Sequence, residues 1–256
     1  DRSSAASDVY KRQILFEKLG GPEVLKLAET PTPELRRGKI LIKNHAVGIN
    51  FADTLFRQGE YVMQPKLPDT PGLEASGIVE AIGEGVEDIK VGDRVAAIGM
   101  KTYAEYSLAS AEQAIRLPDA VSFEDGAAFP IQVLTAYHML FTAHNLTSDQ
   151  TVIVHSAAGG VGLAAVQIAK AAGACVIGTV SSDEKADVVR KYGADEVINY
   201  AQNDFSEETR KITDGKGADL ILDAVGKPTV EKGLNCLGPF CYLILYGRAC
   251  GVPDPV

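Results

Sequence analysis

The stretch TVIVHSAAGGVGLAAVQIAK, residues 151–170, decides the fold. TVIV (151–154) is uncharged and rich in β-branched residues, the composition of a short buried strand. Val161–Ala172 repeats apolar residues at helical spacing. Between the two lies Ala157-Ala158-Gly159-Gly160-Val161-Gly162. A strand, a glycine-rich turn and a helix form the unit that cradles dinucleotide phosphates. One small residue bends the chain, a middle glycine lets the pyrophosphate approach the backbone, and a last glycine lets helix and strand pack closely. The helix start adds free N–H groups and a positive dipole end. Ala157 stands where the first glycine of G-x-G-x-x-G is usual, so the literal motif is absent and the strand–turn–helix context carries the reading. Ala158, Gly159, Gly160, Val161 and Gly162 are the candidate phosphate contacts; the competing reading is a plain flexible helix start.

Downstream, the same alternation continues. CVIGTV (175–180) reads as a strand, Glu184–Tyr192 as a helix, Glu196–Ile198 as a short strand and Asp204–Thr213 as a helix. DLILDAV (219–225), Val230–Leu237 and YLILYG (242–247) follow as strand, helix and strand, with Leu134–Thr142 as a helix ahead of the series. Apolar strands alternating with helices predict an α/β fold with a doubly wound parallel sheet over residues 129–256.

Upstream the texture differs. Residues 13–128 read as short strands at Ile14–Phe16, Val24–Ala28, Lys39–Val47, Ala75–Ile82, Arg94–Ala97, Ala104–Ala109 and Ala114–Leu117. Gly-Gly-Pro at 20–22, Pro31-Thr-Pro33 and Gly92-Asp93 mark turns. Mostly antiparallel strands with few helices predict a partly open β-barrel. The opening DRSSAASDVYKRQ is polar and lacks Met, so residues 1–12 are set aside as leader or linker sequence.

The chain has 256 residues, enough for two modest domains or one large one, and a formal net charge of −9. That balance argues against a broad nucleic-acid face, and no nucleic-acid partner is expected. No apolar run is long enough to span a bilayer, so no membrane partner is expected either. The four cysteines (Cys175, Cys236, Cys241, Cys250) form no C-x-x-C and read as reduced thiols of a cytoplasmic protein. The four histidines form no H-E-x-x-H pair, and no metal site is expected.

The second strand of the fold usually ends in an acid when the cofactor is NAD, because a carboxylate holds the ribose hydroxyls. Here that strand ends at Val180, followed by Ser181-Ser182-Asp183-Glu184-Lys185. A hydroxyl at 181 does not repel a 2′-phosphate and Lys185 can pair with it, which favours NADPH. Asp183 and Glu184 lie close by and weigh the other way, and the stretch also reads as a simple helix N-cap.

The chain resembles the zinc-independent quinone oxidoreductase (zeta-crystallin-like) branch of the medium-chain dehydrogenases/reductases. The resemblance rests on GGPEVLKL (20–27), GINFADTLFRQGEY (48–61), PGLEASGIVEAIGEGV (71–86), VGDRV (91–95), TAYHML (135–140), the run from Asp149 to Lys170, and GADEVINY (193–200). It implies a GroES-like catalytic domain followed by a Rossmann domain, with the active site in the cleft between them. It also implies a longer family chain that continues past residue 256 and forms a homodimer.

Zinc-dependent relatives place Cys early in the catalytic domain and His in Gly-His-Glu. The corresponding positions here are Asn50 and Leu73, in Gly72-Leu73-Glu74. Without a metal, hydride transfer relies on positioning and on hydrogen bonds to a developing enolate or hydroquinone oxygen. A quinone or α,β-unsaturated carbonyl, which delocalises charge, is the expected acceptor. The resemblance implies that Asn50 sits beside the nicotinamide and substrate with Asp53 behind it. Leu55 stands where a family tyrosine is common, and Tyr61 is the candidate hydroxyl instead. Thr135 is similar to a threonine at the nicotinamide side, Tyr200 to a residue at the adenosine end, and Tyr246-Gly247 to a loop passing the nicotinamide. His138 is expected to be a packed helix residue. Two other functions compete: an enoyl reductase acting on acyl chains, and a non-catalytic NADPH- or RNA-binding crystallin-like protein.

Overall fold

Tyr10–Leu15 (β1) and Lys26–Pro31 (β2) pair antiparallel, with Ile14 opposite Leu27. The structure is a computed structural model that describes residues 10–255. The strand starts before the point expected from sequence, and Tyr10–Arg12 belong to it rather than to a leader. Their anchors are polar, which an apolar pattern does not reveal. Buried Lys11 donates its Nζ to the Tyr106 carbonyl (2.9 Å), and Arg12 pairs with Glu105 (2.6 Å). Residues 1–9 of the presumed leader lie outside the described residues.

The chain divides into two compact units between Ile131 and Gln132. In the first, Lys39–Val47 (β3), Glu74–Ile82 (β4), Arg94–Gly99 (β5) and Tyr106–Arg116 (β6) form an antiparallel ring. The ring is closed rather than partly open, because β6 pairs with both β5 and β3. The two strands expected at 104–109 and 114–117 are one strand of 11 residues. Its first half lies along β3 and its second along β5, with a register shift where it turns the corner. Ile40, Ile42, Val79, Val95, Ala97 and Ala109 fill the interior. Two short helices belong to this unit, Phe51–Gln58 (α1) and Phe123–Ala127 (α2).

Helix α3 (Pro130–Tyr137) continues into a π-helical turn at His138–His144. The second unit is a five-stranded parallel sheet in the order β11-β10-β7-β8-β9. Its strands are Thr151–Val154 (β7), Cys175–Val180 (β8), Glu196–Asn199 (β9), Ala218–Asp223 (β10) and Leu237–Leu245 (β11). Its helices are Gly160–Ala171 (α4), Asp183–Lys191 (α5), Phe205–Ile212 (α6) and Val230–Cys236 (α7). Period-two alternation assigns each strand residue to a face. Val152, Val154, Val176, Leu220 and Leu222 pack with α4 and α5 residues, while Ile153, Ile177, Ile198 and Ile221 pack with Phe205 and Cys236. The strand order reverses between β7 and β10, so the crevice beyond their carboxyl ends is the switch point where ligands bind in such sheets. Strand β10 stops at Asp223, short of the expected Val225, because the Asp223 carboxylate accepts from the Val225 and Gly226 N–H groups and turns the chain. No helix of the described residues is long and apolar enough to cross a membrane.

Candidate functional site

The turn after β7 is built from backbone. Ser156 takes a left-handed conformation (φ 52°), Ala157 is fully buried, and the Ala157 N–H donates to the Thr179 carbonyl at 3.1 Å. Gly159 is the N-cap of α4, and the first-turn N–H groups of that helix have no partner within it. A Cβ on Gly162 would lie 2.4 Å from the Ser156 carbonyl oxygen and 2.8 Å from the Ala157 backbone, so only glycine fits. This is the close helix–turn packing that a phosphate cradle requires. Ala158, Gly159, Gly160, Val161 and Gly162 are therefore brought together at the start of one helix. Just upstream, His155 is buried with its Nδ1 at 2.8 Å from Thr179 Oγ1 and its ring edge-on to Phe205. Burial holds its imidazole down to about 4, with the Asp223 charge partly opposing.

At the end of β8, Lys185 Nζ donates to Ser181 Oγ at 3.0 Å, so the hydroxyl and the cation stand side by side. Ser182 caps α5 through the Lys185 N–H. Of the two acids that weigh against a 2′-phosphate, Asp183 is engaged elsewhere. Asp183 accepts from Asn199 Nδ2 (2.8 Å) and Gln202 Nε2 (3.3 Å), and these bonds hold its carboxyl below the usual range. The Tyr200 N–H donates to the Val180 carbonyl, which sets its half-exposed ring beside the same strand end. Thr135 is partly buried on α3. His138 is exposed rather than packed, and its Nδ1 lies 3.0 Å from Thr142 Oγ1. The Tyr246 and Gly247 N–H groups both face the Asp223 carbonyl, which fixes this loop at the end of β10.

In the first unit, Asn50 is the N-cap of α1 and Asp53 its third residue, an arrangement of capping-box type. Asp53 Oδ2 accepts from the Asn50 N–H at 2.8 Å. The same oxygen accepts from the Tyr103 hydroxyl at 2.9 Å. The Asn50 carboxamide donates through Nδ2 to Glu74 Oε1 at 2.7 Å, and Glu74 Oε2 accepts from the Ile131 N–H at 2.8 Å. Burial pushes the carboxyls of Asp53 and Glu74 up and the Tyr103 hydroxyl well up. Tyr61 packs in a hydrophobic cluster. Its ring packs against Phe16, Val24 and Phe56, and the hydroxyl that reaches Asp53 is that of Tyr103. No motif marks Tyr103. Glu74 does stand in the Gly72-Leu73-Glu74 triplet, the one signal in the sequence that points to it.

A zinc ion does not fit these residues. Leu73 has no donor atom, and the neutral carboxamide of Asn50 is a poor replacement for a thiolate ligand. Among the described residues no group of three or more His, Cys, Asp or Glu side chains is arranged to hold a metal.

A parallel sheet with a glycine turn at its switch point, preceded by a GroES-like barrel, defines the class of medium-chain dehydrogenases/reductases. The family model for the alcohol dehydrogenase GroES-like domain matches residues 36–119, and that for the zinc-binding dehydrogenase matches residues 160–255. The chain is 41% identical over 242 residues to a quinone oxidoreductase of Pseudomonas aeruginosa, covering 94% of this chain and 74% of that protein. It is 38% identical over 250 residues to a 2-haloacrylate reductase of a Burkholderia species, covering 94% of this chain and 74% of the relative. Among solved structures, Escherichia coli quinone oxidoreductase complexed with NADPH superposes with a TM-score of 0.89 at 40% identity, over 96% of this chain and 76% of that one. The chain belongs to the quinone oxidoreductase branch of the medium-chain dehydrogenase/reductase superfamily.

Proposed function

We propose that the protein is an NADPH-dependent oxidoreductase that delivers hydride to a quinone or an α,β-unsaturated carbonyl without a metal. The observation that carries this reading is the Ser181–Lys185 pair beside a glycine turn that accepts no Cβ at Gly162. The first-turn N–H groups of α4 hold the pyrophosphate, with Ala158, Gly159, Gly160, Val161 and Gly162 as the cradle. Ser181 and Lys185 hold the 2′-phosphate, Tyr200 lies along the adenosine, and Thr135 with Tyr246-Gly247 serves the nicotinamide end. NADPH, when bound, supplies the hydride. Asn50 offers the polar contact to the reacting end, and Asp53 fixes the turn that carries Asn50. A conjugated acceptor suits such a site, because its charge spreads onto an oxygen that one hydrogen bond can stabilise. The relatives support that choice: one is named for quinones and another for 2-haloacrylate, a conjugated acid.

A cytoplasmic, homodimeric protein belongs to the same reading. Four free cysteines support the first part. The second part rests on the family resemblance alone.

The test is a fluorescence titration with NADPH and NADH, followed by turnover of 1,4-benzoquinone. The chain contains no Trp, so the cofactor signal has a low background. Tighter binding of NADPH and quinone-dependent oxidation are expected. Equal or stronger binding of NADH would overturn the cofactor assignment, and binding without turnover of quinone or enone would overturn the activity.

A further inference from the structure

Asn50 is held from two sides, and only one holder belongs to its own helix. Asp53, three residues on, takes the backbone N–H. Glu74, at the start of β4, takes the carboxamide. Glu74 is fully buried, and a carboxylate is costly to desolvate unless its oxygens are satisfied. Here each oxygen accepts one N–H: Asn50 Nδ2 on Oε1, Ile131 N on Oε2. The chain also makes room for it. A Cβ on Gly48 would lie 2.2 Å from Glu74 Oε1, and the Gly48 N–H donates to the Glu74 carbonyl at 3.2 Å. Space, charge and two donors are thus arranged around a side chain that lies behind the asparagine.

The two ends of a carboxamide are nearly identical in shape and opposite in hydrogen-bonding character. Packing alone therefore does not choose between them. An ionised carboxylate only accepts, so it selects the N–H end. We propose that Glu74 is a positioning residue that fixes the polarity of the Asn50 carboxamide. The remaining Nδ2 proton and the Oδ1 lone pairs then meet a ligand in one fixed order. This rests on Asn50 being the contact to the reacting end. A glutamine at position 74 breaks the arrangement with almost no change of shape. It offers one acceptor oxygen and one NH2 to two converging N–H donors. A half-turn of Asn50 relieves that conflict and reverses what Asn50 presents.

The test is a double-mutant cycle of Glu74→Gln and Asn50→Ala, read as kcat with 1,4-benzoquinone, KM for NADPH and melting temperature. Glu74→Gln is expected to lower kcat about tenfold with KM for NADPH changed less than about twofold, and to have no further effect in the Asn50→Ala background. An equal loss of kcat in both backgrounds would reduce Glu74 to a purely structural role and overturn the proposal, as would an unchanged kcat in Glu74→Gln. Unchanged turnover in Asn50→Ala alone would overturn the role of Asn50 itself, a failure distinct from the first. Should Glu74→Gln not fold, the wild-type protein decides. With 15N-labelled asparagine, the Asn50 side-chain amide, assigned by its loss in Asn50→Ala, is expected to exchange with solvent far more slowly than exposed asparagines. Exchange as fast as theirs would overturn the proposal.

Discussion

The turn at 155–162 and the cluster around Asn50 both hold polar groups in place, by opposite means. The turn does so with backbone: free N–H groups at the start of α4 and a helix brought close by Gly162. The cluster does so with side chains, where Asp53, Glu74 and Tyr103 are buried or partly buried and joined by hydrogen bonds of 2.7 to 2.9 Å. Backbone cradles depend on steric room, so they fail when atoms are added. Side-chain networks depend on matching donors to acceptors, so they fail when a partner is removed.

The largest effect should come from adding an atom to the turn. Gly162→Ala places a Cβ 2.4 Å from the Ser156 carbonyl oxygen, against backbone that cannot swing away. NADPH affinity should fall about a hundredfold, or about 2.7 kcal/mol, with a loss of unfolding stability as well. Fluorescence titration and urea melts measure both, and wild-type affinity in this variant would break the backbone half of the comparison.

The next effect is on stability against pH, and it belongs to the turn's buried histidine. His155 is held down to about 4 in the folded state against an ordinary value of 6.5. The unfolded chain therefore binds its proton first, so stability is full above about 6.5 and is lost as pH falls toward about 4. The loss between about pH 7 and pH 5 should be about 2 kcal/mol, and His155→Gln should remove it. Urea midpoints at both pH values decide this, and an unchanged slope in the variant would exclude His155 as its source.

In the side-chain cluster the informative pair is Tyr103→Phe and Tyr61→Phe. The first takes a donor from the buried Asp53 carboxylate and should cost about 1.5 kcal/mol. Lys185→Ala comes next, weakening NADPH about tenfold while leaving NADH unchanged, an effect that shrinks with added salt. Tyr61→Phe should be the smallest, under about 0.5 kcal/mol, because the ring that packs with Phe16 and Phe56 is retained. A larger effect at Tyr61 than at Tyr103 would break the distinction between a packed ring and a bonded hydroxyl.

Some elements are legible from sequence to the residue. Lys39–Val47, TVIV and CVIGTV are strands with the expected bounds, because a strand buried on one or both faces writes its period into its own residues. Boundaries set by distant partners are not legible. Strand β6 is continuous because β3 and β5 each take half of it, and β1 includes Lys11 and Arg12 because Tyr106 and Glu105 hold these polar residues. The same rule divides the site. Gly162 is legible because its neighbours are within six residues, whereas Glu74 is recognised only when folding brings it to Asn50 and Ile131.

From sequence alone came a barrel-like first half, a doubly wound second half and a glycine turn that reads as a cofactor cradle. Each of these rests on interactions between near neighbours, which periodicity and turn chemistry encode directly. Tertiary structure alone decided which tyrosine reaches Asp53, where the Asp183 carboxylate is spent, and which carboxylate holds Asn50. Those choices depend on which of several chemically equivalent groups is brought within hydrogen-bonding distance, and that is settled only when the whole chain has folded.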